Sequence, residues 1–241
     1  SAEVATLDDV AVLPGRAARV GRAAHKLQSA FDAWGSAPVD PLSAAGRRCL
    51  DVGASTGGFT QVLLEAGAAH VVALDVGHGQ LAPELAGDPR VTNLEGRNVR
   101  AVTPDEVGGP FALVVADLSF ISLQLVAPQL AALTAADGQG VWLVKPQFEV
   151  GRERLGKRGV VTDPGDQARA LRAVLAAARA CGLHPRAVLP SPLAGTRGNR
   201  EYLLWVSRRR ELGLVEDTVA IASVVPFEEN RPKDARQAPP G

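Results

Sequence analysis

The stretch Arg48-Cys-Leu-Asp-Val-Gly-Ala-Ser-Thr-Gly-Gly58 constrains this chain more than any other. A short apolar run closes around Asp51, and a turn holding Gly53, Gly57 and Gly58 follows at once. Helical spacing resumes from Gln61 to Glu65. Strand, glycine turn and helix in that order open a βαβ unit, in which bare backbone N–H groups and a helix start face a ligand. A second run, Val71 to Val76, places Asp75 at its carboxyl end, seventeen residues past Gly58. An acid there suits the two hydroxyls of a ribose. The pattern predicts a crevice for a nucleoside-bearing cofactor.

Three cofactor classes compete for such a turn. A P-loop needs Gly-Lys-Ser/Thr to hold phosphates and Mg²⁺, but Phe59-Thr60 follows the glycines and no lysine is present. The dinucleotide fingerprint is G-x-G-x-x-G, whereas this turn runs G-x-x-x-G-G with Ser55 at the second glycine position. Asp51, on the strand itself, suits a ligand with an ammonium group and no pyrophosphate. S-adenosylmethionine meets both demands. Asp51, Gly53, Ala54, Ser55, Gly57, Gly58 and Phe59 would hold its methionine end, and Asp75 with Val76 its ribose. Asn98 is a candidate beside the adenine, and Asp117 with Leu118 closes the set. A glycine turn without a ligand would leave two acids at two strand ends unexplained.

A length of 241 residues allows one large α/β domain with a full core plus appendages. Seven strand-like runs recur: Arg48–Val52, Val71–Val76, Val91–Leu94, Leu113–Asp117, Val141–Lys145, Arg186–Leu189 and Tyr202–Ser207. Their spacing predicts βαβ units and a mostly parallel sheet with helices on both faces. The last two runs lie too close for a crossover helix and should pair antiparallel. That is the shape of a class I methyltransferase, a Rossmann-like fold. Val20, Leu27, Phe31 and Trp34 predict a helix over 17–34, and Pro164-Gly165 and Gly182 bracket another over 166–180. Residues 1–18 read as an extension, 19–210 as the catalytic domain, and 211–241 as a loosely attached, partly disordered tail, rich in Pro and mixed charge.

Hydrophobic content of 46% with only 4% aromatics makes Ala, Val and Leu the core builders. No apolar run reaches the length of a membrane span, and Ser1 opens no secretory signal. The chain lacks Met, so a trimmed or replaced start is expected. Cys49 and Cys181 read as small hydrophobes in a reducing compartment, and a cytoplasmic protein is expected. No Cys/His cluster has metal-ligand spacing. Net charge is zero, yet Arg16, Arg19, Arg22 and Lys26 run without an acid. Arg152, Arg154, Lys157 and Arg158 form a second basic cluster, and Arg197, Arg200 and Arg208 to Arg210 a third. Gathered on one rim they would attract phosphates; scattered, they would be solvated surface.

Four segments carry the chemistry. Gly21-Arg-Ala-Ala-His-Lys-Leu27 precedes the first strand; Asp117 ends one strand and Lys145 the next; Glu201 begins the last. Only four lysines exist in the chain, and two stand at these places. Methylating an alcohol requires its proton to leave as the methyl arrives. An ordinary lysine (pKa about 10.4) is mostly protonated at neutral pH, but one buried near other cations can be made neutral and serve as base. Lys145 is the candidate base. Lys26, Asp117 and Glu201 would orient it and the hydroxyl, the cluster titrating as a unit.

Those four residues resemble the K-D-K-E tetrad of FtsJ-like ribose 2′-O-methyltransferases. Ala24-His-Lys-Leu27, Asp51 to Thr60, Asp75 to Leu81, Val115 to Ser122, Val144 to Gly151, Gly159-Val-Val161 and Asn199 to Tyr202 are similar, in order, to the TlyA (haemolysin A-like) family. The resemblance covers about residues 19 to 207. It implies S-adenosylmethionine-dependent 2′-O-methylation of cytidine in ribosomal RNA, free or within a ribosomal subunit, with Arg22, His25, Ser119, Phe120, Arg158 and Asn199 on the substrate side. Two departures stand out. The family's RNA-binding S4 domain is expected to be missing, and the family's Ser-Arg-Gly-Ala-His-Lys-Leu reads Gly21-Arg-Ala-Ala-His-Lys-Leu27. The missing module leaves a small-molecule hydroxyl as an alternative substrate. A non-catalytic cofactor- or RNA-binding scaffold is a further alternative, against which the intact tetrad weighs.

Overall fold

The computed structural model describes residues 19–156, 158–211 and 221–225. The expected N-terminal extension, the start of the 17–34 helix, Lys157 and the proline-rich 226–241 stretch lie outside them.

Seven strands form one sheet: β1 (Arg48–Val52), β2 (His70–Leu74), β3 (Val91–Leu94), β4 (Phe111–Ala116), β5 (Thr134–Val144), β6 (His184–Pro190) and β7 (Tyr202–Ser207). Their spatial order is β3-β2-β1-β4-β5-β7-β6. The first five run parallel, and β7 pairs antiparallel with both β5 and β6. The chain builds outward from β1 to β3 and then returns to place β4 against β1. The order therefore reverses between β1 and β4, and a crevice opens at their carboxyl ends.

Alternation along each strand divides the core in two. Cys49, Val71, Leu113, Val141, Leu143, Leu203 and Trp205 face one side. There they meet α1 (Ala23–Trp34) and α2 (Gly58–Glu65) through Ala24, Leu27, Ala30, Phe59 and Leu63. Leu50, Val52, Val114, Ala116, Trp142, Val144, Tyr202 and Leu204 face the other. The short helices α3 (Pro83–Ala86) and α4 (Pro104–Val107) come next in the chain, then α5 (Leu123–Leu133), α6 (Pro146–Glu149) and α7 (Pro164–Ala180). α5 and α7 cover that second face with Val126, Leu130, Leu171, Val174 and Leu175 at helical spacing. Asp163 caps α7 by accepting from the Gly165 and Asp166 N–H groups.

Several boundaries differ from the sequence reading. The first helix starts at Ala23, after a bend through 20–22. β2, β4 and β5 stop one residue before Asp75, Asp117 and Lys145, leaving all three at the loop edge. β5 also begins earlier, at Thr134. The tail is corrected in part: Ile221 and Val225 are fully buried against the α5/α7 face, so 221–225 is docked rather than loose. Among the described residues no helix is long and apolar enough to cross a membrane, and no cluster of His, Cys, Asp and Glu has the form of a metal site.

Candidate active site

The glycine turn is laced to the neighbouring strand. Gly53 and Ala54 both donate their N–H to the Leu74 carbonyl, at 2.8 and 3.2 Å, and Gly57 donates to Ala54 at 2.7 Å. The Ser55 N–H donates to Asp75 Oδ2 at 2.8 Å. The expectation of bare N–H groups is thereby corrected over these four residues, because the turn spends them on holding its own shape. The glycines also act differently than expected. Gly53 sits at φ +83°, and a Cβ there would come within 2.6 Å of the Asp117 carbonyl. Gly57, at φ +95°, lies against the Leu81 and Leu85 side chains, and Gly58 against the Ala24 backbone. Their smallness brings chain against chain around the crevice.

Asp51 is fully buried beneath this turn. Its Oδ2 accepts from Thr60 Oγ1 at 2.7 Å, while Oδ1 has no hydrogen-bond partner among the described residues. Burial pushes the carboxyl up to about 7, against the Thr60 hydrogen bond and with help from the charges of Asp117 and Asp75. A buried carboxylate oxygen without a donor calls for a cation or a donor from a ligand. Asp75 accepts from Ser55 with one oxygen and from the Gly77 N–H with the other, at 2.7 Å. Each oxygen keeps a lone pair for a further donor.

A cavity of about 350 Å³ opens over Gly53, Ser55, Asp75, Val76, Asp117 and Leu118. Gln80, Arg97 and Val99 also line it, and sequence reasoning missed all three. Asn98, expected beside the adenine, is exposed and caps the Val99–Ala101 turn by accepting from the Arg100 N–H. Its neighbours Arg97 and Val99 form the wall instead. Phe59 and Ala54 are buried in the α1/α2 core, so Phe59 serves packing rather than the cavity surface.

The sheet places the four ionisable residues. β4 and β5 are parallel neighbours, and β7 lies antiparallel beside β5. Asp117 after β4, Lys145 after β5 and Glu201 before β7 therefore share one edge. Lys26 reaches them from the buried face of α1. Lys145 Nζ lies 2.7 Å from Asp117 Oδ1 and donates to Ser119 Oγ at 2.9 Å. Lys26 Nζ lies 2.6 Å from Glu201 Oε2. The quartet is thus two lysine–carboxylate pairs, Lys26–Glu201 buried and Lys145–Asp117 partly so. Asp117 stands directly against Lys145, whereas Lys26, expected to orient it as well, is paired with Glu201.

A second cavity, of about 380 Å³, begins at Lys145 and Glu201. Ser119 and Phe120 line both cavities, so the two are contiguous. Phe120 is 92% exposed, with φ +64°, and its ring lies 5.4 Å from that of Phe148. Gln147, Phe148, Leu155 and Arg197 complete the wall and were not singled out as site residues. Gln147 and Phe148 lie within the recognised Val144–Gly151 segment and Arg197 in the third basic cluster, so a signal existed for three of these four. Asn199 lines the cavity but is buried, accepting from the Val161 N–H and donating to the Gly159 carbonyl. It holds the 159–161 loop. Arg22 and His25 are exposed at the start of α1, Arg22 donating to the Ala194 carbonyl. Arg158 is exposed, and its carbonyl accepts from Arg197.

Sheet order, switch-point crevice and glycine turn define a class I methyltransferase. The FtsJ-like methyltransferase model matches residues 19–208, and the chain belongs to that family of S-adenosylmethionine-dependent enzymes. It is 52% identical over 204 residues to the 16S/23S rRNA (cytidine-2′-O)-methyltransferase TlyA of Mycobacterium tuberculosis, covering 83% of this chain and 74% of that one. The 23S rRNA (cytidine-2′-O)-methyltransferase TlyA of Campylobacter jejuni is 35% identical over 190 residues, covering 77% and 70%. A solved structure from Streptococcus thermophilus, provisionally described as a hemolysin, superposes with a TM-score of 0.80 at 37% identity, covering 88% of this chain and 75% of that one.

Proposed function

We propose that this enzyme transfers a methyl group from S-adenosylmethionine to the 2′-hydroxyl of a cytidine in ribosomal RNA. The observation that carries the reading is Lys145, held by Asp117 where the two cavities meet. The relatives named as rRNA cytidine-2′-O-methyltransferases support the same substrate.

The residues present fit the cofactor. Asp51, with one buried oxygen lacking a donor, would take the ammonium, and Asp75 the ribose hydroxyls. Gly53, Ser55, Val76 and Leu118 shape the wall, with Arg97 and Val99 further along it. When bound, S-adenosylmethionine supplies an electrophilic methyl on a positively charged sulfur. In its neutral form Lys145 accepts the proton of the substrate hydroxyl, and Asp117 holds the lysine in place while it does so. Glu201 forms part of the substrate cavity's wall, and Lys26 behind it neutralises its charge. Phe120, exposed and tilted against Phe148, offers a face for the base. Arg22, His25, Arg158 and Arg197 stand ready for the RNA backbone.

Incubation with methyl-labelled S-adenosylmethionine and three pools (ribosomal subunits, free rRNA and a metabolite extract) tests the reading. Label should enter an rRNA-containing pool, with RNA binding weakening steeply as salt rises. Label in the metabolite pool alone would overturn it.

A further inference from the structure

We propose that Ser119 is a positioning residue, aiming the Lys145 amine at the hydroxyl it deprotonates; this rests on the function proposed above. The amine nitrogen is tetrahedral. Besides Cε, two of its three remaining directions are occupied, one by Asp117 Oδ1 at 2.7 Å and one by Ser119 Oγ at 2.9 Å. A neutral amine has two N–H bonds and one lone pair. With both N–H bonds taken by these two acceptors, the lone pair is left on the last vertex, and Lys145 lines the substrate cavity. Asp117 alone would fix only one N–H and leave the lone pair free to rotate about it.

Ser119 is held firmly enough to act this way. On one side the Asp117 N–H donates to the Val52 carbonyl at 3.0 Å. On the other, Glu149 accepts from Ser122 Oγ at 2.6 Å, from the Leu123 N–H at 2.7 Å and from Gln124 Nε2 at 3.0 Å. The 117–124 loop is thus anchored at both ends, by the end of β1 on one side and by Glu149 on the other. In the transfer step the hydroxyl proton moves to the lysine lone pair and the oxygen pair bonds the methyl carbon. The electrons of the carbon–sulfur bond go to sulfur. Ser119 gains and loses no proton; it remains an acceptor throughout.

Steady-state kinetics of Ser119→Ala, Ser119→Thr and Lys145→Ala on ribosomal RNA, with thermal melts as a folding control, test the assignment. Ser119→Ala should lower kcat on the order of tenfold, the worth of one orienting hydrogen bond. KM for RNA and for S-adenosylmethionine should hold within about twofold, because uniform binding is untouched. Ser119→Thr, which restores the hydroxyl, should recover most of the rate. A wild-type kcat in Ser119→Ala, an effect confined to KM, or a Thr variant as slow as Ala would each overturn the assignment while Lys145→Ala stays inactive. An active Lys145→Ala would overturn both this inference and the base beneath it.

Discussion

Asp51 lies in the core with one carboxylate oxygen on Thr60 and the other without a donor. Because burial raises its folded-state pKa from 3.8 to about 7, the folded protein binds this proton more tightly than the unfolded chain does. The contribution of Asp51 to stability is therefore greatest in acid, falls as pH rises from about 4 to 7, and is level above. The slope approaches ~1.4 kcal/mol per pH unit within that window. Asp51→Asn should remove it, so the difference in unfolding free energy between wild type and variant should shift with pH between 5 and 7. A pH-independent difference would contradict the burial argument. A cofactor ammonium would favour the ionised form, so cofactor affinity of the wild type should rise across the same window and that of Asp51→Asn should not. Calorimetric titrations at pH 5.5 and 7.5 check this.

Among the elements, the glycine turn shows both the reach and the limit of sequence reasoning. Asp51, Gly53, Gly57 and Asp75 were legible because strand, turn and acid recur at fixed offsets. Their use of hydrogen bonds was not, since the Leu74 carbonyl and Asp75 carboxylate that take up the turn's N–H groups belong to a different segment. Phe59 was misread for a similar reason: its place after the glycines suggested the ligand, whereas the phase of α2 turns it into the core. Asn98 lost its place to Arg97 and Val99 because an Asn side chain readily caps the turn that follows it. α5 carries Pro128 and a nearly continuous apolar run, so it lacks the polar phase that reveals a surface helix. Gly53→Ala tests the turn. A side chain at φ +83°, pressed on the Asp117 carbonyl, should cost about 1–3 kcal/mol or more, read as a lower melting temperature. It should also weaken methyl transfer by moving Asp117. Unchanged stability would show that the turn is looser than described.

Across the whole molecule, the sheet order does the assembling. Three of the four ionisable residues come from adjacent strand ends, so strand number and direction, readable from run spacing, were enough to forecast one shared edge. Their pairing into Lys145–Asp117 and Lys26–Glu201 depends on side-chain reach, which spacing does not encode. The 221–225 segment was obscured by the charges and prolines that follow it, although Ile221 and Val225 stand one helical turn apart. Ile221 is fully buried against the α5/α7 face, so Ile221→Ala should cost about 2–5 kcal/mol in denaturant unfolding. A loss under ~0.5 kcal/mol would place the segment outside the cooperative core.

The central claim is that Lys145 removes a ribose proton so that the methyl lands on the 2′-oxygen. Ribosomal RNA labelled by the wild-type enzyme and then hydrolysed in alkali tests this most directly, because a methylated 2′-oxygen can no longer attack the adjacent phosphate. We predict that the label appears in alkali-resistant dinucleotides beginning with cytidine, and that Lys145→Ala, still binding S-adenosylmethionine, yields none. Label in ordinary mononucleotides, the mark of methylation on a base, or undiminished transfer by Lys145→Ala, would contradict it.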